Sequence, residues 1–400
     1  MHNRRVLFYD DAAVFGGHEE MTLNALHWML SAGDFEVGFV YSPQNTSLKF
    51  RLEQLAAQNS RLKLIASAYT TRSLQFLRTP LALRAIRRLR AMLRNFKPDC
   101  LLVVQGEISL SSLGVLAARR ERIPTISYIP LAHSRRQREK GIATQLKDVL
   151  LAPYYKLPDT FITISESMVS MLRARGATQP IRVVENGIDP DGLTVLPRLE
   201  ARQRLGLPIK TYLAALVGRV EAGQKGHDIF LKAIAAHRNE WTHWKFLIVG
   251  DGPDKEAMMA MAETNHLSHI VEFLPWQQDL SALYGAVDLI VIPSRFEGVP
   301  VVMLEAMYCR LPIVASNCDA MAELLPPAWL FPVENVPGLM ASLLQTPAMD
   351  QSAILERNRR LILERFTLEL QGVKFANAVR ELLDHLTSKN FPESAAFKHS

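Results

Sequence analysis

The chain has 400 residues, of which 48% are hydrophobic and 22% are charged, and its formal net charge is +6. This length exceeds one ordinary hydrophobic core, so length and composition predict a globular protein of two domains. Three cysteines argue against a disulfide framework and favour the reducing cytoplasm, and no apolar run is long enough to span a membrane.

The predicted elements alternate between strands and helices along the whole chain. A strand at Val6–Tyr9 precedes a Gly16–Gly17 loop and an amphipathic helix, and similar strand–helix pairs follow it. Such alternation predicts the α/β class, with parallel sheets that carry helices on both faces. Further strands are predicted at 35–41, 62–65, 100–104, 125–129, 160–164, 181–184, 212–217, 245–249, 270–273, 289–292, 313–315 and 329–330.

The predicted organisation has an N-terminal domain at 1–190 and a C-terminal domain at 209–367. A turn-rich linker with several prolines is expected to join them at 191–208. After the second domain, a long amphipathic helix is predicted at 368–387, followed by a disordered tail at 388–400.

Two glutamates follow the apolar strand predicted at 289–292. Glu297 is expected in the loop at the carboxyl end of that strand, and Glu305 in the next helix, whose first turn suits Pro300. Open α/β sheets bind ligands at this edge, and the helix N-terminus offers N–H groups to an anion. The carboxylates therefore suit a ligand with hydroxyls and phosphate, such as a nucleotide sugar. Further hydroxyl or backbone donors are expected on Ser294, Gly298 and Val299.

Two cations, Arg219 and Lys225, follow the first predicted strand of the second domain. They could meet at one pyrophosphate. A departing diphosphate gains charge, and fixed cations at this place would stabilise that charge in the transition state. The alternative is a solvated loop with ordinary charges. No metal site is predicted, since the histidines lack ligand spacing, and Asp10–Asp11 is only the nearest candidate.

Several motifs together resemble a known family in their order and spacing. They are the Glu297-x7-Glu305 pair, the segments 184–189, 216–219 and 246–253, and Gly16–Glu19 near the N-terminus. On these motifs the chain resembles the retaining glycosyltransferases of family 4. The resemblance implies the GT-B fold, in which two Rossmann-like domains face each other across a cleft. The first domain would then receive the acceptor and the second the nucleotide-sugar donor.

The resemblance also implies roles for the motif residues of the second domain. Arg219 and Lys225 would bind the donor diphosphate. Glu305 would accept hydrogen bonds from the donor ribose, and Glu297 would contact the donor sugar near the reacting carbon. No cofactor is implied besides the nucleotide-sugar substrate.

In the first domain, the resemblance implies that His133 approaches the donor sugar or its phosphates, unless it is an ordinary loop histidine. Gly17 belongs to a glycine pair that resembles the family's donor loop, or else to a simple turn. The neighbouring His18 is expected to be an ordinary surface histidine.

Two positions depart from the family pattern. Arg310 stands where the family commonly has glycine, and Asp319–Ala320 replaces a common Gly–Gly pair beside the donor site. The second change leaves the identity of the donor sugar open.

Basic charge is concentrated in the first half of the chain. Residues 1–195 hold 26 basic and 17 acidic side chains, whereas the remainder holds 20 and 23. A basic helix is predicted at 78–97. It could lie on an anionic membrane near a lipid-linked acceptor, or it could be an ordinary packed helix with a solvated face. No nucleic-acid recognition motif accompanies it. Its apolar stripe is predicted to be Leu81, Ala85, Leu89 and Met92/Leu93, and a solvated basic run is predicted at Arg135, Arg136, Arg138 and Lys140.

The sequence thus predicts a retaining, metal-independent glycosyltransferase that moves a sugar from a nucleotide-diphosphate sugar to a hydroxyl of a carbohydrate or lipid-linked acceptor. Its expected setting is the cytoplasm or the inner face of the membrane, in surface polysaccharide or glycolipid assembly. The alternatives are a nucleotide-sugar epimerase of similar fold and a catalytically inactive sugar-binding relative. An NAD-dependent dehydrogenase is disfavoured, because no G-x-G-x-x-G follows the first strand of either domain.

Overall fold

The computed structural model describes residues 3–71, 75–134, 137 and 143–390, without the side chains of Phe76, Ala143 and residues 386–390. The chain divides into two compact units. The first contains the described residues up to 185 except Gln137, together with the C-terminal helix Leu368–Asn390, and the second contains Gln137 and 186–367. The predicted basic run at Arg135, Arg136, Arg138 and Lys140 and the predicted tail from residue 391 onward lie outside the described residues.

The first unit is built on a seven-stranded parallel sheet. Its strands β4, β5 and β6 are buried at every residue, which is why continuous apolar runs predicted them well. The strands are β1 (Arg4–Asp10), β2 (Phe35–Tyr41), β3 (Leu62–Ala66), β4 (Cys100–Val104), β5 (Thr125–Tyr128), β6 (Thr160–Thr163) and β7 (Ile181–Val183). Their order in the sheet is β3-β2-β1-β4-β5-β6-β7.

Helices cover this sheet, and the C-terminal helix packs against the first of them. Asn24 donates a hydrogen bond to the Leu368 carbonyl at 2.7 Å. Gly372 allows the close approach, because a Cβ there would lie 2.0 Å from the Trp28 ring. Across the part of the chain that the structure describes, no helix is long and apolar enough to cross a membrane. The helices are α1 (Gly17–Ala32), α2 (Thr46–Gln58), α3 (Gln75–Arg78), α4 (Leu83–Phe96), α5 (Ser112–Glu121), α6 (Ala143–Leu151) and α7 (Glu166–Ala174).

The second unit repeats the plan with six parallel strands. They are β8 (Tyr212–Val217), β9 (Trp244–Val249), β10 (Val271–Leu274), β11 (Leu289–Ile292), β12 (Ile313–Ser316) and β13 (Leu330–Phe331), in the order β10-β9-β8-β11-β12-β13. This is the Rossmann order, which reverses between β8 and β11. The helices are α8 (Arg198–Arg204), α9 (Ala222–Lys225), α10 (His227–Ala236), α11 (Lys255–Thr264), α12 (Ser281–Ala286), α13 (Val301–Tyr308), α14 (Asp319–Leu324), α15 (Val336–Gln345) and α16 (Ser352–Arg365).

The predicted linker at 191–208 contains helix α8, which belongs to the second unit. Arg202 of this helix is fully buried, donates a hydrogen bond to the Ala286 carbonyl at 2.9 Å and contacts Asp288 at 2.7 Å. A buried arginine that satisfies backbone carbonyls and a carboxylate anchors the segment, so a proline-rich composition here does not mark a free connection.

The predicted basic helix begins later than expected. A short 3-10 turn at Thr79–Leu81 precedes α4, so Leu81 lies outside the helix and is 80% exposed. The buried stripe therefore shifts along the helix. Arg90 and Arg94, which flank this stripe, pair with Glu121. The residues that α4 buries are Ile86, Leu89, Leu93 and Phe96.

Candidate functional site

The switch point of the second sheet collects the predicted donor-site residues. Arg219 and Lys225 follow β8, and Ser294 and Glu297 follow the adjacent β11. Ligands bind in such sheets at this reversal of strand order. A cavity of about 460 Å³ lies there, and its wall includes Gly218, Arg219, Asp251, Trp276, Val301 and Glu305.

Gly226 brings the two loops into direct contact. Its φ is +72°, and a Cβ at this position would lie 2.0 Å from the Pro293 carbonyl oxygen. The backbone N–H of Arg295 also donates to the Gln224 carbonyl at 2.7 Å. A residue other than glycine at position 226 would be strained and would push the loops apart.

Glu297 is the centre of the polar contacts between these loops. Its Oε1 lies 2.6 Å from Lys225 Nζ and also accepts a hydrogen bond from Ser294 Oγ at 2.8 Å. The Glu297 backbone N–H donates to the Asp319 carboxylate at 2.7 Å. Because the Glu297 side chain is only 6% exposed, the carboxylate is fixed in place and holds the Lys225 ammonium beside it.

The other predicted cation remains open to solvent. The Arg219 side chain is 65% exposed, and its Nε lies 3.6 Å from Glu221, a distance too long for a strong hydrogen bond. Arg219 also lines the cavity. Its guanidinium is therefore accessible to an anion that enters.

Glu305 lies on α13 where the sequence predicts it, with Pro300 capping the helix rather than occupying its first turn. Its Oε2 accepts a hydrogen bond from Tyr284 Oη at 2.5 Å. Burial raises the pKa of Glu305 above its usual value, although the Tyr284 hydrogen bond lowers it in part. Two other predicted residues, Gly298 and Val299, are buried nearby, and the Val299 carbonyl accepts from Asn186 at 3.1 Å.

Sequence reasoning missed Trp276 and Tyr284. Trp276 follows β10, is 64% exposed and lines the cavity, so its ring offers a stacking surface to a flat group such as a nucleobase. Its sequence signal was a tryptophan three residues after a predicted strand. Tyr284 lies in an apolar helix and resembles an ordinary core residue in the sequence.

Both departures from the family pattern occupy left-handed backbone positions. Arg310 has φ 56° and Asp319 has φ 49°. Glycine adopts this conformation without strain, which accounts for its frequent use at such positions. Asp319 keeps the conformation and adds a carboxylate that accepts the Glu297 N–H.

In the first unit, the Gly16–Gly17 loop is tied to a buried group of acids. Glu19 Oε2 accepts from the Gly16 N–H at 2.7 Å, and Glu19 Oε1 lies 3.0 Å from His18 Nε2. Burial and the Glu19 charge raise the pKa of nearby Asp10 to about 7. His18 is therefore part of a charged cluster and is only 19% exposed, unlike the surface histidine expected.

The remaining predicted residues of the first unit lie at the same sheet edge. Gly17 is exposed at the start of α1, and a Cβ there would meet nothing within 4 Å. His133 follows β5 and is 6% exposed. These residues belong to the first unit.

Comparison with known sequences identifies the family. Residues 15–191 match the profile described as Glycosyltransferase Family 4, and residues 212–346 match Glycosyl transferases group 1. The chain belongs to these glycosyltransferases. An uncharacterized glycosyltransferase of Haemophilus influenzae is 28% identical over 235 residues, which are 58% of this chain and 61% of that protein. D-inositol 3-phosphate glycosyltransferase of Salinispora arenicola is 35% identical over 153 residues, 34% of each chain. The match therefore spans less than two thirds of either relative.

Solved structures share the fold of this glycosyltransferase-family chain over nearly its whole length. Sucrose-phosphate synthase from Thermosynechococcus elongatus is 16% identical with a TM-score of 0.75, and the match covers 96% of this chain and all of that one. Anabaena HepE, solved with UDP-glucose, is 18% identical with a TM-score of 0.75 over 94% of this chain and 99% of that one. The expected fold class, GT-B with two Rossmann-like domains, is confirmed.

Proposed function

We propose that this chain transfers a sugar from a nucleotide-diphosphate sugar to an acceptor hydroxyl, with retention of configuration and without a metal ion. The observation that carries the proposal is that Arg219 and Glu305 line one cavity at the switch point of the second sheet. Lys225, on the same loop as Arg219, does not line this cavity and pairs with Glu297 beside it. Because the related fold of HepE was solved with UDP-glucose, UDP is the first nucleotide to test.

In the proposed reaction, the acceptor oxygen attacks the anomeric carbon on the face from which the diphosphate leaves. The bond between that carbon and the diphosphate oxygen breaks, and a diphosphate oxygen takes the proton of the acceptor hydroxyl. Arg219 and Lys225 stabilise the charge that the leaving diphosphate gains. Glu305 would bind the ribose, and Glu297, supported by Ser294, would contact the sugar.

For the first unit, we propose that it receives the acceptor and that His133 and the Gly17 loop approach the donor. The buried Glu19 supports this loop through its 2.7 Å hydrogen bond from the Gly16 N–H. A carbohydrate or lipid-linked acceptor, used in surface polysaccharide or glycolipid assembly, fits the basic charge of this half of the chain.

A thermal-shift screen with UDP, GDP, ADP and their sugars tests donor binding, because a ligand of the folded state raises its melting temperature. Turnover assays then separate the alternatives. An epimerase would convert or hydrolyse the donor without any acceptor, whereas a transferase requires one. An inactive relative would bind the nucleotide sugar and turn over neither way. The absence of any shift with all three nucleotides would remove the basis of the proposal.

We also propose that the first unit associates with anionic membranes through α4. Arg84 and Arg87 are exposed there beside Leu81 and Leu83, which are 80% and 56% exposed. Each basic residue near such a surface contributes about 1 kcal/mol, so Arg84→Gln with Arg87→Gln should weaken binding to anionic vesicles about 30-fold. Co-sedimentation should show little binding to neutral vesicles and release at high salt. A wild type that ignores anionic vesicles at low salt would favour a soluble acceptor.

A further inference from the structure

A second cavity, of about 320 Å³, lies in the first unit between α4 and the carboxyl ends of β1–β3. Tyr9, Val40 and Ala66 from the strand ends form its base, and Ala85 and Met92 from the helix form the opposite wall. Protein interiors seldom leave voids much larger than a water molecule, and apolar cavities stay dry and take up apolar ligands. An apolar space of this size at a ligand-binding sheet edge is therefore suited to an apolar ligand.

The cavity is held open by small side chains and fixed backbone contacts. Alanines line both walls, so no large side chain fills the space. The loop after β3 is anchored by the Ser67 N–H, which donates to the Tyr41 carbonyl at 2.7 Å, and by the Thr71 N–H, which donates to the Asp11 carbonyl at 2.8 Å. The space is thus preformed, which lowers the ordering cost of binding.

Among the described residues that line this mostly apolar space, Arg88 is the one with a charge, and Tyr9, Ser67 and Tyr69 are polar. Arg90 and Arg94 on the same helix are neutralised by Glu121, whereas Arg88 has no acidic partner among the residues that the structure describes. An exposed, unpaired guanidinium beside an apolar cavity complements a molecule with a hydrocarbon chain and an anionic head.

We propose that this cavity binds the hydrocarbon chain of an amphiphilic phosphate, with the phosphate on Arg88, and that this amphiphile is the lipid end of the acceptor. The inference rests on the proposed function, in which the first unit receives the acceptor. It places the acceptor among lipid-linked rather than soluble carbohydrates. It also gives Arg88 a role distinct from that of the neighbouring Arg84 and Arg87 at the membrane surface.

Calorimetry with octyl and decyl phosphate, each below its micelle concentration, tests the cavity directly. Each buried methylene should raise affinity about fourfold, so decyl phosphate should bind about 15-fold more tightly than octyl phosphate. Ala85→Phe, which fills the space, should remove this dependence on chain length, with Ala68→Trp at the rim as a second filling variant. Ala57→Phe on α2 is the matched control outside the cavity and should behave like the wild type.

The anionic anchor is tested separately. Arg88→Gln should weaken decyl phosphate binding about tenfold or more and leave decanol binding unchanged, whereas Arg87→Gln should change neither. Inorganic phosphate binding as tightly as decyl phosphate, or full chain-length dependence in both filling variants, would overturn the proposal. If Ala85→Phe loses anionic vesicle binding as much as it loses decyl phosphate binding, the cavity holds a membrane lipid rather than the acceptor. UDP binding, measured in parallel, distinguishes failure of the cavity from failure of the donor site.

Discussion

From the ion pair between Lys225 and Glu297 we predict that Glu297→Gln should tighten UDP binding while it slows turnover. A phosphate bound to Lys225 would share the ammonium with the carboxylate, which lies 2.6 Å from it. Two anions on one ammonium lie about 4–5 Å apart, and their repulsion is about 1–4 kcal/mol for effective dielectric constants between 80 and 20. Because Lys225 is partly exposed, we take the lower value and expect UDP to bind about fivefold more tightly.

Turnover should change in the opposite direction. Glutamine keeps the size of the side chain and its hydrogen bond from Ser294, but it lacks the charge that would stabilise the reacting sugar. The loss of a charge-assisted hydrogen bond costs about 1.5–3 kcal/mol, which corresponds to a rate about 10- to 150-fold lower. Calorimetry with UDP and a donor-consumption assay measure the two effects separately.

A double-mutant cycle isolates the cause. In a Lys225→Ala background the gain in UDP affinity from Glu297→Gln should shrink, because no shared ammonium remains. Glu356→Gln is the matched control, since Glu356 pairs with Arg310 at 2.7 Å but does not line the cavity. If Glu297→Gln instead weakens UDP binding tenfold, the carboxylate serves to position Lys225 for the nucleotide and the competition argument is wrong.

The other site predictions concern the nucleotide itself. Arg219→Ala and Lys225→Ala should each weaken UDP binding at least tenfold by calorimetry without changing the unfolding transition, since each removes a charge-assisted contact to phosphate; unchanged affinity in both would refute the site. Glu305→Ala should also weaken UDP binding. Tyr284→Phe removes the hydrogen bond that lowers the pKa of Glu305, so this carboxylate should become protonated at a higher pH than in the wild type. As the pH falls, the variant should therefore lose UDP affinity before the wild type does. Identical pH profiles would contradict the ribose role of Glu305.

The strands of both sheets could be predicted from the sequence because buried parallel strands are continuous apolar runs. The edge of the second sheet that holds Arg219 and Glu297 followed from the same pattern, since the carboxyl ends of parallel strands meet. The linker was predicted from prolines and turn residues alone. The composition of this segment does not reveal that Arg202, which lies within the predicted linker, donates to the carbonyl of the distant residue Ala286 and is buried there.

Contacts between distant residues were the part that the sequence could not provide. Lys225 and Glu297 are 72 positions apart, and nothing in either segment indicates that they form a pair. The displaced stripe of α4 has a local cause, since the 3-10 turn at Thr79–Leu81 changes the start of the helix by a few residues. Helix boundaries depend on local turns of this kind, which hydrophobic periodicity does not detect.

Arg310 allows the strain of a left-handed residue to be measured. It follows the C-cap of α13 in a Schellman motif, in which the Leu311 N–H donates to the Ala306 carbonyl at 2.9 Å and the Arg310 N–H to Met307 at 3.3 Å. Arg310→Gly and Arg310→Ala both remove the Glu356 pair, so their difference reports the backbone alone. Glycine should be more stable than alanine by about 1 kcal/mol, despite its greater freedom in the unfolded chain.

The sign of this difference is the informative part of the test. At Ala260, an exposed position inside α11, glycine should instead be less stable than alanine by about 1 kcal/mol, because right-handed helical backbone gives glycine no advantage. Thermal unfolding would measure both differences, and UDP affinity should remain constant because neither residue lines the cavity. If alanine equals or exceeds glycine at position 310, the left-handed conformation is not what selects glycine there, and the family's preference at this position needs another cause.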